Sequence, residues 1–104
     1  MSQQNRDYET VAASQTGQVL GLVGAKGDFI ERIIISPATT GPGLVTLIDG
    51  STSIPIMVTG GTTTLVPIVV ELNMVSQSGA WSVTTGANLT VIAVGNFSRS
   101  SLQM

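Results

Sequence analysis

The chain has neither cysteine nor histidine. Without thiols, no disulfide can staple a fold of 104 residues, which fits assembly in a reducing cytosol. The joint absence also removes the commonest nucleophile–base pairs, the usual zinc ligands and the one side chain that titrates near neutral pH. Charge is scarce as well: 10% of residues carry it, against about 25% in an ordinary domain. Lys26 is the single lysine, and Arg6, Arg32 and Arg99 are the arginines, at a net charge of -2. Four scattered cations cannot neutralise a row of phosphates, so no nucleic-acid partner is expected. No apolar run approaches the roughly 18 residues of a membrane helix, so no membrane partner is expected either. The start "MSQQNRDYET" lacks a basic then apolar leader. The sequons at Asn88 and Asn96 therefore read as chance.

What remains is Val, Ile, Thr, Ser and Gly, a bias toward pleated, half-buried strands. One domain is expected at this length, and its small core leaves little apolar burial to spare. Turn signals recur at Gly24-Ala-Lys-Gly27, Pro37 to Gly43, Asp49-Gly50, Gly60-Gly61, Ser78-Gly79 and Gly86-Ala-Asn88. The runs between them predict eight strands, near 18–23, 28–36, 44–48, 53–59, 64–72, 74–77, 80–85 and 89–97. That spacing predicts an all-β fold, an antiparallel β-sandwich. Asp49-Gly50 reads as a type I′ hairpin, and "WSVTTGANLTVIAV" as a second hairpin. Pro55 and Pro67 mark edges, strand starts or bulges, because proline cannot donate to a ladder. The runs "RIIIS" and "LVPIVVEL" are apolar at consecutive positions, as in strands buried on both faces or placed at a subunit contact. Residues 1–17 are polar and read as an N-terminal arm, flexible alone or ordered on a neighbour through Tyr8 and Val11. The sandwich then spans 18–97, and 98–104 form a tail.

Candidate chemistry is thin. "GLVGAKGDF" at 21–29 has the glycines and lysine of a phosphate loop. It lacks the G-x-x-x-x-G-K-[ST] order, and a strand-like segment follows where a helix is needed. The glycines read instead as positions needing positive φ in a turn. Asp28, Glu31, Asp49 and Glu71 include no convincing catalytic pair, so no catalytic residue is assigned and an enzyme is not expected. No acidic run has calcium-loop spacing; neither metal nor cofactor is implied. Trp81, the lone tryptophan, alternates with Val83 and Thr85 as a core or interface residue does. Exposed in a pocket, it would instead suit a glycan. Glu31-Arg32 reads as a solvated or intersubunit pair. Charge this sparse protects weakly against self-association, so a homo-oligomer is expected. Its interface candidates are Tyr8, Val11, Glu31, Arg32 and Trp81.

The stretches "QVLGLVGAKGDFIERIIISPATTGPGLVTLIDGSTSI" and "SGAWSVTTGANLTVIAVGNF" resemble small virion structural proteins of tailed bacteriophages and prophages. Those proteins share an "LG-x-x-GA-x-GD" start, a "DG" hairpin and a "W-x-VTTGA" segment. The likeness spans most of 18–97 and omits the arm. It implies a capsid decoration (cement) protein with a jelly-roll-like sandwich. The implied partners are further copies of the chain, a trimer being favoured by three-fold capsid sites, and the major capsid protein. The implied location is the capsid surface of a virion assembled in the host bacterial cytoplasm. The alternative is a receptor- or glycan-binding module of a tail or fibre.

Overall fold

Alternation sets the strands. In Leu89–Asn96, buried and half-buried positions alternate along seven residues, as they do when one face of a strand lies on a core. The computed structural model describes residues 7–21, 24–59 and 65–97; among them the chain forms eight strands and no helix. These are β1 (Asp7–Val11), β2 (Gln18–Val19), β3 (Phe29–Pro37), β4 (Val45–Asp49), β5 (Thr52–Met57), β6 (Ile68–Val75), β7 (Trp81–Thr85) and β8 (Leu89–Asn96). They make two four-stranded sheets, in the orders β1-β8-β3-β6 and β2-β7-β4-β5, with every pairing antiparallel. The expected antiparallel β-sandwich is the observed architecture. β1 pairs with β8, β2 with β7, β3 with β6 and β4 with β5.

Inner rows carry the core. Val11, Val91 and Ile35 stand side by side across β1, β8 and β3, each at most 1% exposed. Trp81 and Phe97 are the largest fully buried side chains. The indole N–H of Trp81 donates to the Asp28 carbonyl at 2.8 Å, which satisfies the one polar atom of a buried ring.

Four sequence expectations need correction. First, the described part of the expected arm, residues 7–17, belongs to the sandwich. β1 is an edge strand on β8, and the segment after it is pinned where Ser14 N donates to Gly86 O and Thr85 N to Gln15 O, both at 2.8 Å. The alternation in Asp7–Val11 is real but is carried by Tyr8 and Thr10 outside and Glu9 inside, polar residues that hide the pattern. Residues 1–6 and the tail 98–104 lie outside the described residues. Second, "WSVTTGANLTVIAV" is not a hairpin: β7 and β8 belong to different sheets, and the chain crosses between them at 86–88. Third, the runs at 64–72 and 74–77 supply one strand, β6, which continues through Asn73 at φ 51°. Fourth, Asp49 pairs with Thr52, so the β4–β5 turn is centred on Gly50-Ser51. Gly50 has φ 59° while Ser51 is not left-handed, the mark of a type II′ rather than a type I′ turn. Pro55 lies in edge strand β5 and Pro67 just before β6, positions where a missing N–H costs least.

Candidate functional site

A bulge determines which side chains of β3 leave the core. Ile30 pairs with Met74 and Gly95, whereas Arg32 pairs with Glu71 and Val94. Leu72 and Asn73 therefore oppose Glu31 alone, and Glu31 has no counterpart on β8. One extra residue reverses the alternation, so Ile30, Ile33 and Ile35 all reach the core. Asn73 takes the left-handed conformation there, which asparagine tolerates better than most residues. On the far side of the bulge, Arg32 and Ile34 face away from the core.

Registered neighbours share a face, so the outward rows can be read directly. One row runs Thr10, Ile92, Ile34, Val69 across all four strands. The next runs Tyr8, Val94, Arg32, Glu71. Below the bulge a third joins Asn96, Phe29 and Val75. Tyr8 is 68% exposed, Val69 54% and Val75 53%, while Ile34, Ile92 and Val94 are half-buried. An antiparallel sheet with one solvated face normally alternates apolar-in with polar-out. Here the outward face is mixed: Ile34, Ile92, Val94, Phe29, Val69 and Val75 are apolar, while Ser36 and Thr90 form a polar fourth row.

Its charge is confined to one cluster. Arg32 Nε donates to Glu71 at 3.0 Å, and Nη2 lies 2.8 Å from Glu31. The Glu71 hydrogen bond raises the arginine pKa further; partial desolvation opposes it, and the charges of Glu31 and Glu71 add to the rise. Two carboxylates around one guanidinium leave a local excess of one negative charge.

Of the five interface candidates, Tyr8, Glu31 and Arg32 come together around this face. Val11 and Trp81 do not: at 0% and 1% exposure they are inside the chain's own core and offer no side-chain surface to a partner. Ile34, Ile92, Val69, Val94 and Phe29 were not singled out from sequence. Their signal was present in "RIIIS" and "LTVIAV", where apolar residues occupy both parities of a strand.

The acidic and glycine-rich candidates have structural employment. Gly24 and Gly27 have φ 69° and 97°, and the chain enters a strand, as the turn reading requires. The turn's amides are engaged: Ala25 N donates to Asp28 Oδ2 at 3.1 Å, Gly27 N to Ser76 Oγ at 2.7 Å, and Asp28 N to Ala25 O at 3.2 Å. A phosphate cradle needs such amides unclaimed. At Gly24 an added Cβ would lie 2.5 Å from Val19 Cγ1 and 2.9 Å from Ala80 Cβ, so packing as well as φ selects glycine. Asp49 spends its carboxylate on the turn after β6, accepting from Gln77 N at 3.0 Å, Ser78 N at 3.0 Å and Gly79 N at 3.3 Å. Desolvation pushes its pKa up, but the three amides outweigh it, and the value lies below the usual aspartate range.

The arrangement is suited to contact with another surface: a sheet face with six apolar side chains and one small charge cluster, framed by Tyr8 at one edge and Val69 at the other. Comparison of the chain with protein-family models, with curated proteins and with solved structures found no match.

Proposed function

We propose that the chain is a non-enzymatic virion structural protein that decorates the outside of a phage capsid as a homo-oligomer, a trimer being favoured, and stabilises the shell. The observation that carries this reading is the outward face of the β1-β8-β3-β6 sheet, where three of the registered rows carry apolar side chains (Ile34, Ile92, Val94, Phe29, Val69, Val75) around one small charge cluster. Exposed apolar patches of this kind mark interaction surfaces on soluble proteins. The resemblance of 18–97 to small tailed-phage virion proteins supplies the partner, the major capsid protein, and the site of assembly, the bacterial cytoplasm. The strand pairing 1–8, 2–7, 3–6, 4–5 supports a jelly roll, an architecture common among capsid and lectin domains.

The glycan- or receptor-binding alternative depended on an exposed Trp81, and that ring is 1% exposed with its N–H bonded inside the core. No other observation favours it. The direct test is a cryo-electron-microscopy map of particles of the phage or induced prophage that encodes the chain. Density for this sandwich on the capsid surface is the expected result; its location on the tail or fibre, or its absence from the particle, would overturn the assignment.

A further inference from the structure

The sandwich is closed along one side and open along the other. At the closed side Val11 on β1 and Leu20 just after β2 are both 0% exposed. There Glu9 ties the two sheets together, accepting from Gln18 Nε2 at 2.8 Å and from Gly21 N at 2.7 Å. At the opposite side, where β6 and β5 are the outermost strands, the inward side chains are only partly covered. The row Val11, Val91, Ile35 ends in Ile68, and the row Ala93, Ile33 ends in Val70; both terminal residues are half-buried. Facing them, the rows through Leu47 and Val45 end in Ile54 and Met57, likewise half-buried. Leu65 and Val66, 57% and 65% exposed, extend the apolar strip beyond the start of β6.

We infer that this open β5–β6 side is where copies of the chain meet, each closing the other's core. The inference rests on the homo-oligomeric part of the proposed function, whatever the copy number, and does not depend on the capsid part. Two observations select a second copy as the occupant. Glu71 is the only charged residue on β5 and β6, and its carboxylate is already bonded to Arg32. Groups near a symmetry axis meet their own copies, so a nearly neutral strip suits such a self-contact, whereas a different partner is ordinarily selected by complementary charge. Next, the sheet edges differ in fitness for pairing. β2 has two residues, β5 contains Pro55 and β1 has five residues with Asp7 and Glu9 turned inward, while β6 offers eight residues free of proline and lysine, among the devices that normally blunt an edge.

The experiment is sedimentation velocity on the full chain at about 10 μM, a concentration at which a micromolar contact is largely formed. Wild type is compared with Val66→Lys, Leu72→Lys and, on the opposite edge strand, Tyr8→Lys. Wild type and Tyr8→Lys are expected to run as one oligomer, and the two β5–β6 variants to dissociate with at least a tenfold weaker constant. Val66 is exposed, so that variant decides the matter even if Leu72→Lys unfolds. Hydrogen exchange gives a second reading: β6 amides directed away from β3 should exchange at least tenfold slower in the oligomer than after dilution. A monomeric wild type, or an oligomer untouched by Val66→Lys and unprotected on β6, overturns the inference. Capsid binding is read separately, so an oligomer that ignores capsids leaves this contact standing while removing the function.

Discussion

Ile34 on β3 and Ile92 on β8 stand directly opposite one another, on the face of the sheet turned away from the core. Cross-strand apolar pairs stabilise a sheet by about 0.2–1 kcal/mol relative to alanines, far less than burying either side chain against a partner would contribute. Threonine keeps the β-branched shape that suits a strand. Ile34→Thr and Ile92→Thr should therefore each lower the stability of the free protein by about 1 kcal/mol or less, measured by thermal denaturation. A loss several times larger would mean that these residues serve the core.

β1 is the part of the fold that composition conceals, and its removal should be costly. Val11 is fully buried beside Val91. Deletion of residues 2–11 removes an edge strand together with the Glu9 link to Gln18 and Gly21. The truncated chain should be unfolded or strongly destabilised by circular dichroism. The milder Val11→Ala should cost about 1.5–3 kcal/mol, the worth of burying such a side chain. A truncated protein melting like wild type would restore the view of residues 1–17 as an arm.

Trp81 has two separable contributions, ring volume and one hydrogen bond. Trp81→Ala should cost about 3–5 kcal/mol, as large-to-small core changes do. Trp81→Phe keeps most of the volume but leaves the Asp28 carbonyl without its indole donor; a smaller loss of about 1–3 kcal/mol is expected. Chemical denaturation of both variants checks the order. Equal losses would mean that the hydrogen bond dominates.

Asp49 gives the fold an acid-sensitive joint. Its folded pKa is lowered because, against desolvation, the amides of Gln77, Ser78 and Gly79 favour the charged form. A depressed carboxyl contributes stability that is fully present above its unfolded value, about pH 4, and is lost as pH falls through the folded value. Unfolding free energy should therefore decline on acidification below about pH 4. Asp49→Asn should be less stable at neutral pH by about 1–3 kcal/mol, with a flatter acid limb. A variant with the same acid limb as wild type would assign that sensitivity to another group.

Strand content and the sandwich were legible because Val, Ile and Thr alternate between well-marked turns. The sheet assignment of "WSVTTGANLTVIAV" was not, since a tight turn joins strands within one sheet or across two, and only long-range pairing decides. β1 escaped because its alternation uses Tyr8, Glu9 and Thr10 rather than aliphatic residues. The outward face was half legible: three consecutive isoleucines at 33–35 required one to leave the core, but the bulge at Glu31 sets which. Trp81 was legible as an alternating strand residue, whereas its withdrawal from any interface depended on the second sheet above it.

The proposed binding of a shell by the outward face is tested most directly by co-sedimentation of the purified protein with undecorated capsids of the phage inferred to encode it, for wild type, Ile34→Thr, Ile92→Thr and the control Thr46→Ser on β4 of the other sheet. Saturable binding is expected for wild type and Thr46→Ser. Both isoleucine variants should bind at least tenfold more weakly, a loss that avidity in an oligomer would multiply, with particle mass unchanged. Isoleucine variants that bind as wild type does, or a wild-type protein that leaves capsids bare at saturating concentration, would contradict the proposed binding.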